Sequence, residues 1–142
     1  MRLVYRILAM LVAVGVVVQA AAIAYALFDI EHRTDDGQLY SKDSHNSGVA
    51  LHSVLGGMVI PVITLLLLIV SFFAGIPGGV KWAAITFGVL VLQVVLGYAG
   101  QGLPAIGVLH GINAFALAAV ASIAMRKARL AGSAPAPAPV AG

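Results

Sequence analysis

The sequence predicts an all-α membrane protein, a bundle of four transmembrane helices built as two similar hairpins. Three observations predict it. The 142-residue chain is 61% hydrophobic and only 9% charged, with mean hydropathy +1.05, too little charge to cover a soluble domain. Four apolar runs are separated by short polar or glycine-rich breaks. Short patterns in the first pair of runs recur in the second pair. The net charge of +3 and pI near 9.6 do not point to nucleic acid, because the basic residues flank the apolar runs.

The first run, residues 7–28, spans about 33 Å as a helix, enough to cross the hydrocarbon core. It is too long for the apolar region of a signal peptide, so a retained span is expected. Residues 29–47 form the only sizeable polar segment and hold every acidic residue: Asp29, Glu31, Asp35, Asp36 and Asp43. Within it, Asp35-Asp36-Gly37 and His45-Asn46-Ser47-Gly48 have turn chemistry. The second run, 49–73, contains Pro61, which is expected to kink it. Gly75-Ile76-Pro77-Gly78-Gly79 is a tight turn, and Lys81 and Trp82 after it read as an interfacial anchor. The third span covers 82–99, Gly100-Gln101-Gly102-Leu103-Pro104 turns the chain, and the fourth covers 105–125. These spans make one domain, residues 1–130, followed by an Ala/Pro tail, 131–142, with the composition of a disordered tether.

Four spans put both termini on one side. That side carries Arg2, Arg6, Lys81, Arg126, Lys127 and Arg129, against Arg33 and Lys42 opposite. The bias predicts cytoplasmic N- and C-termini and an extracytoplasmic acidic segment.

The repeat centres on two histidines. Gly48-Val49-Ala50-Leu51-His52 opens the second span, and Gly107-Val108-Leu109-His110-Gly111 opens the fourth. Ahead of them, Val18-Gln19 with Ala24-Tyr25-Ala26 echoes Leu92-Gln93 with Gly97-Tyr98-Ala99. If the two hairpins pack as parallel repeats, His52 and His110 fall at equal depth on spans running the same way. An ionisable group inside a membrane is costly and reads as functional by default. Two imidazoles facing each other are the axial donors a haem iron needs. The absence of cysteine excludes covalent c-type attachment, so the expected cofactor is non-covalent haem b.

A flat macrocycle needs small residues beside its ligands. Gly48 and Gly56 flank His52, and Gly107, Gly111 and Ala114 flank His110. The competing reading is that these glycines let helices approach closely. The propionates need a polar outlet, for which Ser47, Ser53, Asn46, Gln101, Lys42 and above all Arg33 are available, a guanidinium forking onto carboxylates. Arg33 could equally pair with Glu31 or Asp36. Gln19 and Gln93 sit mid-span, where an amide must hydrogen-bond across helices. Asn113 lies too near His110 in sequence to be assigned the role of orienting its ring. His32 and His45 belong to the polar segment and read as solvated.

With these residues in hand, the chain resembles one four-helix half of the heme A synthase family, and small four-span bacterial membrane proteins. The likeness covers about residues 45–120: Leu51-His52 with Gly56, Leu92-Gln93-Val94-Val95-Leu96-Gly97, Leu103-Pro104, and Leu109-His110 with Ala114. It implies a haem-binding bundle with His52 and His110 as ligands, in a bacterial cell membrane. The family's enzymatic half has a glutamate a turn before its first histidine and an arginine after it, where this chain has Val49 and Ser53. Glu31-His32-Arg33 is similar to that motif but lies ahead of the span. Haem-methyl oxidation is therefore not implied.

The leading expectation is bis-histidine haem serving electron transfer or haem handling near the outer face. One alternative is a cofactor-free accessory subunit of a larger membrane complex. Another is a haem-modifying or quinone-linked oxidoreductase, for which only the carboxylates of the polar segment are available, Glu31 being the best candidate. Beyond the lipid bilayer, the partner classes left open are a redox partner, a larger complex and a second copy of the chain.

Overall fold

The computed structural model describes residues 1–41 and 43–132. Their architecture is all-α, with four helices long and apolar enough to span a membrane: α1 Arg2–Asp35, α2 Ser47–Ser71, α3 Gly79–Gly102 and α4 Pro104–Gly132. Lys42 and the tail from 133 onward lie outside the described residues. Around the bundle the helices follow chain order, each packing on the next and α4 closing back onto α1. The second and fourth spans therefore face each other on a diagonal.

Helix ends differ from the limits of the apolar runs. α1 continues through the acidic residues to Asp35, because Arg33 pairs with Asp29 one turn back and Thr34 returns its hydroxyl to the Ile30 carbonyl. It stops where Gly37 takes φ +78°: Gly37 and Gln38 donate their amides to the Thr34 and Arg33 carbonyls, closing a Schellman motif. α4 likewise runs beyond 125 to Gly132. Between α3 and α4 a single residue, Leu103, is non-helical, and Pro104 opens the last helix with no amide to leave unpaired.

Pro61 does not simply kink the second span. Just before it, Leu55–Val59 forms a π-helical turn in which the Ile60 amide donates to the Leu55 carbonyl. A proline ring clashes with the carbonyl four residues back, and widening the preceding turn relieves that clash.

Two clusters make the core. Tyr5, Ala9, Leu67, Ala83, Ala124 and Ala128 pack near the chain termini; Val12, Ile60, Leu90, Leu117 and Ala121 pack in the middle. Lipid tails are as apolar as these side chains, so close van der Waals contact through alanine holds the helices rather than water exclusion. Buried hydroxyls are satisfied: Thr64 and Thr86 donate to carbonyls four residues back, and Tyr5 reaches across to the Gly79 carbonyl of the third helix at 2.9 Å. At the same end Arg2 ties the Ala131 carbonyl to that of Gly75.

Packing thins toward the polar segment. Contact between α2 and α3 is carried by Ile60–Ser71, whereas Ser47–Val59 packs on α1. The buried residues of α3 end at Leu90 and those of α4 begin at Leu117. Toward the polar segment the third and fourth spans therefore contribute no fully buried residue.

Asn46 fastens the first hairpin. Its Oδ1 accepts the Val49 amide at 2.9 Å, while its Nδ2 donates to the Ala26 carbonyl and to Asp29 Oδ2. Asn46→Asp keeps the cap but turns a donor into a carboxylate facing two acceptors. We expect it to destabilise the protein by about 1–3 kcal/mol, the cost of leaving buried polar groups unpaired, read as a lower midpoint in thermal unfolding in detergent. An unchanged midpoint would show that the Nδ2 bonds contribute nothing.

Candidate functional site

Each hairpin seats its histidine against the mid-span glutamine of the neighbouring helix. In the second hairpin the protonation pattern can be traced from one backbone carbonyl. Val89 can only accept there, so Asn113 presents Nδ2 to it at 3.1 Å, and that nitrogen also meets Gln93 Oε1 at 2.7 Å. Gln93 then offers its Nε2 to His110 Nε2 at 3.2 Å, and the ring nitrogen must accept. The His110 proton therefore sits on Nδ1, which donates to the Gln93 carbonyl at 2.9 Å. This ring is neutral and fixed in one tautomer.

The first hairpin repeats the design incompletely. Gln19 Nε2 donates to the His52 carbonyl at 3.1 Å, and His52 Nδ1 lies 3.4 Å from the Gln19 carbonyl. Three residues after His52, where the other hairpin has Asn113, stands Leu55, which has no donor. Gln19 Oε1 is accordingly buried with no hydrogen-bond partner among the described residues. The Nε2 of His52 makes no hydrogen bond to them either, so its ring is the less constrained of the two.

Across the diagonal the two rings meet. Their centroids are 6.1 Å apart and their planes stand at 68°, edge toward face. Both side chains are half-buried. Among the described residues no group of three or more His, Cys, Asp or Glu converges, so the donor set on offer is two imidazoles.

The four flanking glycines divide by function. A Cβ on Gly48 would strike the Ala22 carbonyl and come within 2.9 Å of Ala26, so this glycine serves the crossing of α1 and α2. One on Gly56 would meet the Gln19 amide at 3.0 Å, so Gly56 makes room for that glutamine. A Cβ on Gly107 or Gly111 would meet no described atom within 4 Å, although the Gly107 backbone lies close against Gly100 of the preceding helix. Ala114 is half-buried one turn beyond His110.

Of the polar residues expected near the pair, Asn46 is consumed as a cap and tether. Arg33 pairs through Nε with Asp29 at 3.1 Å, not with Glu31 or Asp36. Ser47, Ser53 and Gln101 are exposed, as are His32 and His45. Asn113 is the member sequence reasoning passed over: it acts on His110 through Gln93, and its place three residues on, along the same helix face, is the signal that could have found it.

Fold and site together define a multi-pass integral membrane protein, a four-helix bundle carrying a facing histidine pair braced by glutamines. Compared with protein-family models, with curated proteins and with solved structures, the chain matches none.

Proposed function

We propose that the protein binds one haem b without covalent attachment, His52 and His110 being its axial ligands, for electron transfer or haem handling. The observation that carries this reading is the 6.1 Å separation of two half-buried imidazoles on facing spans. Two imidazoles this close, His52 and His110, could both donate to one metal ion held between them. The donors suit the group as well. Each Nδ1 faces a backbone carbonyl, the outer-shell contact that aims Nε2 at a metal. Gly107 and Gly111, both exposed, put no side chain beside His110 that would crowd a flat group.

Held by two strong nitrogen ligands, haem supplies a one-electron couple rather than an open site for oxygen. The chain's own residues hold and orient. His110 has to exchange the Gln93 amide for the metal, while the Gln93 carbonyl keeps the ring in place. Arg33, at the polar end, is the propionate contact we favour. Among the described residues no carboxylate belongs to the hydrogen-bond network of the pair, which favours redox or carrier work over modification of the haem. By the bias of basic residues the termini are cytoplasmic, putting the pair near the extracytoplasmic face of a bacterial cell membrane.

A second reading has one observation behind it: both His110 nitrogens are already satisfied within the hairpin, as a purely structural histidine requires. The protein would then be a cofactor-free accessory subunit. An absorption spectrum separates the two. Detergent-solubilised protein supplied with haem b should show a Soret band that shifts on reduction; a preparation that stays colourless removes the haem reading.

A further inference from the structure

The two histidines are not equally free to leave a metal. His110 has a seat of its own inside the second hairpin. Its Nδ1 donates to the Gln93 carbonyl at 2.9 Å and its Nε2 accepts the Gln93 amide at 3.2 Å. The ring lies against Gly97, where a Cβ would stand 3.1 Å from Cε1 and from Nδ1. The seat is built without the ring's help. Asn113 donates to Gln93 Oε1 at 2.7 Å and is itself held by the Val89 carbonyl, so Nε2 of Gln93 keeps facing His110. His52 has no counterpart. Its Nδ1 is 3.4 Å from the Gln19 carbonyl, and the Gln19 amide goes to its backbone rather than its ring. Four residues after Gln19 stands Ile23, where Gly97 follows Gln93.

Ligation therefore costs the two residues different amounts. A metal at Nε2 of His52 displaces no hydrogen bond made among the described residues. A metal at Nε2 of His110 breaks one and strands a Gln93 N–H in a half-buried site, where an unpaired donor is unfavourable. Resting on the haem reading, we infer that His110 is the exchangeable axial ligand and His52 the fixed one, Gln93 receiving the His110 ring when a neutral diatomic ligand such as carbon monoxide takes its place on the ferrous state of the proposed one-electron couple. One bond breaks, between iron and His110 Nε2, and one forms, between iron and the carbon of the ligand; the oxidation state is unchanged. Two axial bonds are kept throughout. The released nitrogen takes back the Gln93 N–H that ligation had removed from it.

The test is carbon monoxide titration of the full-length, haem-loaded protein in detergent, reduced with dithionite and followed by the Soret band. Wild type should bind the gas. Gln93→Leu removes the receiving N–H and keeps the backbone carbonyl, so it should weaken binding roughly two- to tenfold, the worth of one such hydrogen bond. Asn113→Leu should shift the affinity the same way, because the Gln93 amide is then free to turn. Thr86→Val, a buried hydroxyl lost from the same helix but outside the network of the pair, should leave it unchanged. In the haem-free protein, nitrogen NMR of the histidine side chains should find His110 protonated on Nδ1 with Nε2 hydrogen-bonded, and Gln93→Leu should move that Nε2 signal. A red protein that takes up no carbon monoxide, or whose affinity is equal in wild type and Gln93→Leu or falls as much in Thr86→Val, overturns the exchange and leaves the haem reading standing. So does an Nε2 signal that Gln93→Leu fails to move. A protein that stays colourless with haem supplied overturns both.

Discussion

Replacing His110 by alanine is expected to leave a helical protein that no longer retains haem. On the proposed reading the imidazole would supply one of two iron bonds, and the nearest polar side chains among the described residues, Asn113 and Gln93, are amides already committed to each other. The loss should exceed the ~10–100-fold that removal of an outer-shell partner costs a metal site. His52→Ala should behave alike. Gln93→Leu is the informative contrast. It removes the amide from His110 Nε2 but keeps the backbone carbonyl that fixes Nδ1–H, so colour should persist. Soret absorbance after detergent extraction reads the outcome, with far-UV circular dichroism reporting the fold. Haem retained equally by wild type and both alanine variants would sink the assignment of the ligands.

Gly48→Val should have the largest effect on stability. Its side chain would be driven into the Ala22 carbonyl and the Ala26 backbone nitrogen, and neither can move without parting α1 from α2. Overpacking of this kind costs about 1–3 kcal/mol and sometimes more, and here it also disturbs Asn46 two residues away. Gly111→Ala meets no atom within 4 Å and should leave stability within about 0.5 kcal/mol. Thermal unfolding in detergent checks both. Equal midpoints for the two variants would contradict the division of the glycines drawn above.

Much of the fold could be read from the sequence because hydropathy and turn residues report on it directly. The four helices and the turn at Gly75 and Gly78, both at positive φ, follow from the apolar runs and from the places where only glycine is comfortable. Helix limits were less legible. Hydropathy marks where a helix meets lipid, whereas α1 persists to Asp35 on polar contacts that hydropathy does not see. The histidines and glutamines stood out because polar groups are scarce in these runs. Which nitrogen each offers, and that Asn113 sets it through Gln93, depends on contacts between different helices, and spacing alone does not encode them. The glycines looked equivalent in sequence, yet Gly48 and Gly111 have opposite surroundings.

The wide turn at Leu55–Val59 keeps the two halves of the molecule in phase. A regular α-helix rotates about 100° per residue, so His110 and Leu117, seven positions apart, lie within about 20° of one line. His52 and Ile60 are eight apart and would diverge by about 80° in an unbroken helix. The π-helical turn absorbs one surplus residue, about 100° of rotation, and returns them to the same 20° offset. A one-residue difference between the repeats has thus been cancelled by local unwinding, and each imidazole keeps the same bearing relative to the core below it.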